Sequence, residues 1–397
     1  MPSFRPVEQK KVGCFAGESQ RIRGGVGLYE LCKSDTLNNM AFRVLNNTIF
    51  SDALEVDVVD HCNISCKSCD HISPIAGRAF VDPDKLERDL SLLAKCFRAR
   101  RFSLVGGEPM LHPRLSSVVD AVRRSGIADK IILLTNGLLL RRARNELWQS
   151  IDGVEVNVYP GREPSAADLE CVQQASRKGK IELLIKPFNA FSVSHSELPN
   201  EDPALVQRIY DTCDKAHAWG CFSVRNGYFY KCCMAHSIAT RIVKENVWNP
   251  EQDGVKLDDP DTLLTRLRTY LEDSTPLKAC QYCLGVVGMR HPHEQLPRAE
   301  WRVPQMVVPA ESVDWSWLFF KEHRIVGKIG MHLYRFVKPL TDPTVQMEAE
   351  TQEPWRTVLV VSAKLGLSKL LALRTYYVVR TISYMARSVW SRGKSAA

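Results

Sequence analysis

The chain has 397 residues, of which 45% are hydrophobic, so it can bury one complete core and a second, smaller one. Its formal net charge of +8 comes from residues 355–397, which contain eight Lys and Arg residues and no acid, so the rest of the chain is neutral. This distribution excludes a broadly basic surface, and we expect no nucleic-acid partner.

Cysteine is the unusual residue in this composition. Thirteen thiols in a long chain without a secretory signal indicate a reduced, cytoplasmic protein in which several cysteines bind metal. No run of about 18 apolar residues is present to span a bilayer. The remaining cysteines are expected to be ordinary core residues.

Short β-branched runs alternate with stretches of helical period from residue 54 onward, after an N-terminal extension of residues 1–50 without an assigned function. Strands are predicted over residues 54–59, 102–105, 130–134, 154–158 and 181–185. Helices are predicted over residues 82–97 and 166–176. This alternation is typical of an α/β protein with βα units around a parallel sheet, and five units are visible with a sixth expected. Residues 188–203 are predicted to form a long loop.

The first predicted strand runs directly into a CxxxCxxC motif formed by Cys62, Cys66 and Cys69. Three thiolates hold three irons of a four-iron cube and leave the fourth iron open to a small molecule. The carboxyl ends of parallel strands are where α/β proteins place their chemistry. A structural zinc knuckle is the alternative interpretation of the three cysteines.

This motif after strand one resembles the signature of the radical S-adenosylmethionine (SAM) superfamily. The resemblance implies a partial (βα)6 radical SAM barrel over residues 51–212, a SAM-binding [4Fe-4S] cluster, SAM itself and an external one-electron reductant such as flavodoxin or ferredoxin. The family usually has an aromatic residue before the third cysteine. Ser68 occupies that position here, and His71 is the candidate replacement near the adenine.

Polar residues follow the next three predicted strands. Gly106, Gly107 and Glu108 follow the second strand, where glycines allow close approach of backbone to a ligand and a carboxylate can accept from an ammonium group. The resemblance implies that this element holds the amino group of SAM. It also implies contacts with the ribose or carboxylate of SAM from Thr135, Asn136 and Asn157; each alternatively is a turn or core residue.

A second group of cysteines lies in residues 213–290. Asn226-Gly227 between aromatic and β-branched residues predicts a hairpin that pairs Arg225 with Tyr228 and, further from the turn, Cys221 with Cys232. Opposed side chains lie about 5 Å apart, close enough to bind one metal centre. Cys280 and Cys283 add a CxxC, which completes four ligands.

These four cysteines resemble the auxiliary-cluster "twitch" domain of some radical SAM enzymes, a shorter relative of the SPASM domain. The resemblance implies one auxiliary [4Fe-4S] cluster held by Cys221, Cys232, Cys280 and Cys283, since no cysteine follows Cys283. A zinc site with the same thiolates and a Cys221–Cys232 disulfide are the alternatives. Cys213 is an alternative ligand, and Cys233 is either a core thiol or a hydrogen-atom donor.

The resemblance implies reductive cleavage of SAM to a 5'-deoxyadenosyl radical, which takes a hydrogen atom from the substrate. We predict a small, sugar-like substrate that is oxidised or epimerised at a hydroxyl-bearing carbon. Maturation of a ribosomal peptide by the same chemistry is the alternative, and a zinc-bound scaffold is the non-enzyme alternative. Candidate substrate contacts, by residue type and place alone, are His112, Tyr159, Arg162, Lys186 and His236.

The C-terminal part is divided into an irregular region, residues 291–354, and a basic tail, residues 355–397. Apolar residues in the tail recur at helical spacing and predict one apolar helix face: Leu367, Leu371, Val378, Ile382, Met385 and Val389. Lys369, Arg380, Arg387 and Lys394 fall on the opposite face. The tail therefore predicts peripheral contact with an anionic membrane, with packing against the protein's own body as the alternative.

Overall fold

The structure is a computed structural model that describes residues 41–179, 181–243, 249–302 and 307–322. The chain divides into two compact units, Met1–Ser312 and Val313–Ala397. Described residues of the second unit include one helix, Trp315–Glu322. The tail of residues 355–397 and its predicted amphipathic helix lie outside the described residues.

The strands of the first unit are β1 (Phe42–Leu45), β2 (Thr48–Val59), β3 (Phe97–Gly106), β4 (Ala128–Thr135), β5 (Gly153–Val158), β6 (Glu182–Pro187), β7 (Ala190–Ser192), β8 (Ser223–Arg225), β9 (Tyr228–Tyr230), β10 (Val255–Lys256) and β11 (Arg290–Pro292). Its α-helices are α1 (Pro83–Leu93), α2 (Leu115–Ser125), α3 (Asn145–Ser150), α4 (Ala166–Arg177), α5 (Pro203–Asp211), α6 (Asp214–His217), α7 (Met234–Ile238), α8 (Pro260–Glu272) and α9 (Arg298–Trp301). Single turns of 3₁₀-helix span Pro109–Leu111, Leu140–Arg142, Pro250–Gln252, Lys278–Tyr282 and Pro309–Ser312, and a π-helical turn spans Ala239–Val243.

In the part of the chain that the structure describes, nine strands form one sheet in the order β10-β9-β8-β2-β3-β4-β5-β6, with β1 paired to the start of β2. Strands β2 to β6 run parallel in chain order, which confirms the five predicted strands and the α/β class. The sixth parallel strand is β8, which adds beside β2 at the pair Glu55 and Ser223 instead of extending the sheet beyond β6. Parallel pairing brings the carboxyl ends of β2 to β5 to one edge.

The main core lies between one face of this sheet and helices α1, α2, α4 and α8. Leu54, Val56 and Val58 of β2 point into it, and because side chains alternate along a strand, Glu55 and Asp57 lie on the opposite face. We call that opposite face the inner face of the sheet. The inner face therefore carries the polar residues of β2, the strand that precedes the CxxxCxxC motif.

Local sequence explains where α1 begins. The Asp82 carboxylate accepts hydrogen bonds from the backbone N–H groups of Asp84 and Lys85, and Pro83 occupies the first turn. Leu86, Leu90 and Leu93 are buried, as their spacing predicts. The helix ends at Leu93, before the predicted residue 97, because β3 starts at Phe97 and pairs with β2.

The hairpin β8–β9 has the predicted register, with Arg225 opposite Tyr228. Asn226 and Gly227 both have positive φ, at 50° and 81°, as a two-residue turn of this type requires. Beyond β9 a second, smaller core forms around Ile72, Tyr230, Met234, Ala235, Ile238, Leu277 and Ala279. Two further segments contain regular structure that the sequence did not predict.

Residues 188–203 were predicted to be a loop, but they contain β7, which pairs with β11. β11 and α9 likewise give regular structure to residues 290–301, at the start of the predicted irregular region. Pairing between distant segments, and not a local pattern, creates both short strands. Among the described residues no helix is long and apolar enough to cross a membrane.

Candidate active site

The loop that follows β2, residues 60–70, holds the three cysteines of the first motif; we call it the cysteine loop. Cys62 and Cys66 are buried, and Cys69 is half-buried. A positive φ of 55° at Ser68 and 51° at Ile72 turns the chain sharply on either side of Cys69. The three thiols consequently lie together at the carboxyl edge of the sheet.

Burial raises the pKa of the Cys62 thiol strongly, and the nearby carboxyl of Glu108 raises it further. Burial, and then the neighbouring Cys69, raise the pKa of Cys66 to about 12. Cys62 and Cys66 belong to one buried cluster against which Cys69 packs, and a metal would have to displace the protons of these thiols. The donor set of three thiols fits three irons of a four-iron cluster. Within the described ranges, no group of three or more His, Cys, Asp or Glu side chains is arranged to hold a single metal ion.

Gly106 and Gly107, at the end of β3, allow two backbone segments to pack closely against each other. A Cβ on Gly106 would lie 2.3 Å from the carbonyl oxygen of Val59, and one on Gly107 would lie 2.0 Å from that of His61. The N–H of Gly107 donates to Val59, at 2.8 Å. These glycines therefore let the end of β3 pack against the cysteine loop, whereas the sequence pointed to close approach to a ligand.

Glu108 is fully buried, and its carboxylate is already engaged by the protein. It accepts hydrogen bonds from the Thr135 hydroxyl at 2.7 Å and from the backbone N–H groups of Asn136 at 2.9 Å and Met110 at 3.0 Å. Burial raises its pKa. Glu108 thus ties the end of β3 to the end of β4.

Asn136 reaches the cysteine loop from the end of β4. Its amide nitrogen donates to the side-chain oxygen of Asn63 at 2.7 Å and lies 3.8 Å from the sulfur of Cys62. Asn157 lies on β5, and its side-chain oxygen is buried without a hydrogen-bond partner among the described residues. A buried acceptor of this kind fits a donor from a bound molecule.

Ser68 and His71 both have partners within the protein. The Ser68 hydroxyl lies 2.9 Å from the Nε2 atom of His291. His71 turns to the inner face, where its Nδ1 atom lies 3.0 Å from the Asp57 carboxylate. Although burial lowers the pKa of His71, the charge of Asp57 raises it overall. The structure thus pairs His71 with the carboxylate of Asp57 on β2. The resemblance implied a place for His71 near the adenine of SAM.

Residues 290–298 lie across the cysteine loop and were not predicted to be part of the site. Gln295 and His293 each place a nitrogen 3.2 Å from the sulfur of Cys66. Arg298 donates to the carbonyl oxygen of Cys62 at 2.6 Å. The sequence contains a His-Pro-His-Glu-Gln run here, but no spacing rule links it to a motif more than 200 residues earlier.

A cavity of about 360 Å³ opens beside the cysteine loop. It is lined by His61, Cys62, Asn63, Ala76, Arg78, Leu111 and Arg298. The Nδ1 atom of His61 is buried and has no partner in the described part of the chain. Burial, and then the charges of Arg78 and Arg298, lower the pKa of His61. The cavity is of the size of small-molecule sites, and its two guanidinium groups favour an anionic group.

The inner face adds ion pairs further along the sheet. Lys186 on β6 donates to the Glu155 carboxylate on β5 at 2.8 Å, and Glu155 is buried. Tyr159 packs in an aromatic cluster with Phe188, Phe191 and His293, directly above the buried cysteines. Of the candidate contacts, Lys186 thus lies on the inner face, and Tyr159 packs against the cluster that contains Cys62 and Cys66.

The other candidate contacts have structural partners. His112 is buried, its Nε2 atom lies 2.9 Å from the Val81 carbonyl oxygen, and its Nδ1 atom accepts from Arg114 N–H. Arg162 closes a turn through its backbone with Tyr159. Burial lowers the pKa of His236 to about 3, so this ring is neutral.

The raised pKa of Glu55, on the inner face of the sheet, predicts a pH-dependent effect on the stability of the protein. Burial raises its pKa from 4.5 to about 7, although His71 lowers it. The unfolded chain loses this proton near pH 4.5 and the folded chain only near pH 7, so stability falls as the pH rises between these values. We expect Glu55→Gln to be nearly neutral below pH 4.5 and to stabilise the protein by up to about 3 kcal/mol above pH 7.

Urea unfolding of the anaerobic protein at pH 4.5 and pH 8 measures this effect. Asp57→Asn is the matched control on the same strand, because His71 holds the pKa of Asp57 well below its usual range despite burial. The control should lower stability at pH 8. Equal free-energy changes for Glu55→Gln at both pH values would contradict the assignment.

The second set of cysteines assembles around Cys213 and not around Cys221. Burial raises the pKa of Cys280, and the charges of Cys283, Cys232 and Cys213 raise it further. Gly285 supplies a geometric link: a Cβ there would lie 3.4 Å from the Cys213 sulfur, and its N–H donates to the Cys283 sulfur at 3.3 Å. These contacts group Cys213, Cys232, Cys280 and Cys283.

Cys221 falls outside this group because the hairpin ladder stops early. Its last pair is Ser223 with Tyr230, after which the carbonyl of Phe222 accepts from Glu55 N–H and the N–H of Cys221 donates to Lys215. The predicted pair of Cys221 with Cys232 therefore does not form in the ladder. The Cys221 thiol instead lies near that of Cys233.

Cys233 lies between the two parts of the site. Its thiol lies near those of Cys221 and Cys232 and near the carboxyl group of Glu55, and the neighbouring Cys221 raises the pKa of Cys233. Lys215, which is buried, pairs with Asp70 of the cysteine loop at 2.7 Å and lies near Cys283. The Lys215–Asp70 ion pair therefore links the cysteine loop to the second group of cysteines.

Comparison with known proteins gives partial matches. A family model described as "4Fe-4S single cluster domain" matches residues 56–178, which include the cysteine loop. GTP 3',8-cyclase of Microcystis aeruginosa is 32% identical over 105 residues, 25% of this chain and 31% of the cyclase. GTP 3',8-cyclase of Trichodesmium erythraeum is 30% identical over 111 residues, 26% of this chain and 32% of the cyclase. The chain thus spans about a third of the length of these curated relatives.

A solved structure, BtrN in complex with AdoMet and 2-DOIA, is similar at 17% identity with a TM-score of 0.34, over 59% of this chain and 94% of BtrN. The match to a four-iron cluster domain begins in β2 and includes the CxxxCxxC motif at the edge of a parallel sheet. The matched family model supports a four-iron cluster as a cofactor at the cysteine loop. Residues 56–178 thus match a four-iron cluster domain, and about a quarter of the chain is similar to GTP 3',8-cyclases, which supports the radical SAM resemblance of the cysteine motif.

Proposed function

We propose that this protein cleaves SAM reductively and uses the 5'-deoxyadenosyl radical to take a hydrogen atom from a hydroxyl-bearing carbon of a small metabolite. The observation that carries the proposal is the packing of Cys62, Cys66 and Cys69 together in the loop after β2, beside a polar inner face. A sheet face with carboxylates and an ammonium group can hydrogen-bond several hydroxyl groups at once.

In this proposal Cys62, Cys66 and Cys69 hold a four-iron cluster with one open iron position. When bound, the cluster supplies one electron to the sulfonium of SAM. Arg78 and Arg298, at the cavity beside Cys62, bind the carboxylate of SAM. The chain's own contribution is to bind and orient SAM and to exclude water from the radical.

The substrate is proposed to lie on the inner face. Lys186 donates hydrogen bonds to the hydroxyl groups of the substrate, and Glu155 accepts hydrogen bonds from them. The side-chain oxygen of Asn157, which has no partner among the described residues, accepts one more. This arrangement suits a sugar-like molecule better than an extended peptide, because the paired charges are closely spaced. Peptide maturation remains the competing proposal and is an outcome of the test below.

Cys213, Cys232, Cys280 and Cys283 are proposed to hold one auxiliary four-iron cluster. With four protein ligands such a cluster has no open iron for substrate and suits electron transfer. In a dehydrogenase, the substrate radical would pass one electron to the auxiliary cluster and release a proton to a base. An epimerase would instead need a hydrogen donor, and Cys233 is the proposed donor. An external one-electron reductant, such as flavodoxin or ferredoxin, is proposed to supply the first electron.

Product analysis in heavy water tests the reaction. The anaerobic holoenzyme with SAM and dithionite should form 5'-deoxyadenosine faster when a suitable aminocyclitol or sugar phosphate is added. Dehydrogenation would give a product lighter by two hydrogens, whereas epimerisation would give a product with one solvent deuterium that Cys233→Ala abolishes. Stimulation by a peptide alone, with a modified peptide as product, would contradict the proposed substrate class.

A further inference from the structure

Residues 290–298 are hydrogen-bonded to the cysteine loop by backbone as well as side chains. Cys66 and Gln295 form an antiparallel bridge, Lys67 N–H donates to the Glu294 carbonyl at 2.8 Å, and Leu296 N–H donates to the Ser65 carbonyl at 2.9 Å. The segment therefore has a fixed register on the loop. This register decides which of its side chains face the sulfurs.

Gln295 faces the sulfur of Cys66 with its amide nitrogen, and the orientation of that amide is determined by a second contact. Ser65 N–H donates to the side-chain oxygen of Gln295 at 2.7 Å, so the NH₂ group must point the other way. The NH₂ nitrogen lies 3.2 Å from the Cys66 sulfur. Gln295 is thus a donor to this thiol whichever protonation state His293 adopts.

His293 supports this arrangement. Its ring packs against Tyr159 and Phe191, with ring centroids 5.1 Å apart in both cases, and its Nε2 atom lies 3.0 Å from the Gln295 amide nitrogen. Glu294, between them, points away and pairs with Lys67 at the surface. Alternate residues of one short extended segment therefore face the cysteine loop and solvent.

We infer that Gln295 is a positioning residue that stabilises the Cys66 thiolate of the SAM-binding cluster and raises the reduction potential of that cluster. This inference rests on the proposed function, since it requires the cluster at Cys62, Cys66 and Cys69. A donor to a cluster sulfur favours the reduced state, which carries one more negative charge. Residues 290–298 thus couple the C-terminal part of the first unit to the chemistry of the loop.

The experiment compares Gln295→Leu and Gln295→Glu with Glu294→Gln in the reconstituted full-length chain. The reduction potential is measured by a redox titration followed by electron paramagnetic resonance, in which the SAM-binding cluster is identified by its change on addition of SAM. We expect both Gln295 variants to have a more negative potential and to lose iron to a chelator about tenfold faster or more. The Glu294→Gln control should match the wild type in both measurements.

Unchanged potential and iron loss in both Gln295 variants would overturn the inference. Gln295→Glu keeps an oxygen for Ser65 N–H, so it covers the case in which Gln295→Leu fails to fold. Failure of the proposed function has a different signature. In that case the wild-type chain itself would show no SAM-dependent cluster signal.

Discussion

Replacement of Cys62, Cys66 and Cys69 together by Ala should remove about four irons per chain and abolish formation of 5'-deoxyadenosine. The reason is that these three thiols pack together in one loop and are the proposed ligands of the SAM-binding cluster. Iron and sulfide analysis of the anaerobically reconstituted protein, with product chromatography, measures both losses.

Cys171→Ala is the matched control for this triple variant. Its thiol is half-buried and donates weakly to the carbonyl of Leu140, away from the sheet edge. It should retain the full iron content and the full rate. Undiminished SAM cleavage by the triple variant would refute the assignment of the cluster to the cysteine loop.

Removal of Cys213 should cost the auxiliary cluster, whereas removal of Cys221 should not. In the background of the triple variant, we expect Cys213→Ala to reduce the remaining iron from about four atoms to near zero. Cys221→Ala should keep the iron and the iron-sulfur absorbance, because the hairpin ladder ends at Ser223 and leaves Cys221 outside the group of four thiols.

Metal analysis separates the possible outcomes of this comparison. Zinc in place of iron, with no visible absorbance, would favour a structural zinc site at the same thiols. Iron loss on removal of Cys221 but not of Cys213 would restore the ligand set that the hairpin pattern predicted. The Cys221 variant thus serves as the control for Cys213.

Local patterns predicted much of this protein. Strand and helix positions followed from periodicity, and the turn at Asn226 and Gly227 followed from residues that accept positive φ. The cysteine motif directly after β2 placed three thiols at the edge of the sheet. In each case a few adjacent residues determine the geometry.

Contacts between distant segments could not be predicted. The ladder of the hairpin ends at Ser223 because β2 competes for Phe222, which displaced Cys221 from the predicted pair. Gln295 and Cys66 are 229 residues apart, so no pattern connects them. Glu108 resembled a ligand contact in sequence, yet the backbone of Asn136 and the hydroxyl of Thr135 already satisfy it.

The pairing of β8 with β2 has a consequence for synthesis of the chain. Arg225 and Asp57, which meet where these strands adjoin, are 168 residues apart. A ribosome adds about 5 to 20 residues per second, so the second half of β2 waits on the order of ten seconds or more for its neighbour. During that interval the strand presents unpaired backbone groups, which are a template for misassociation. Charged Glu55 and Asp57 on its inner face lower that hazard before the hairpin arrives.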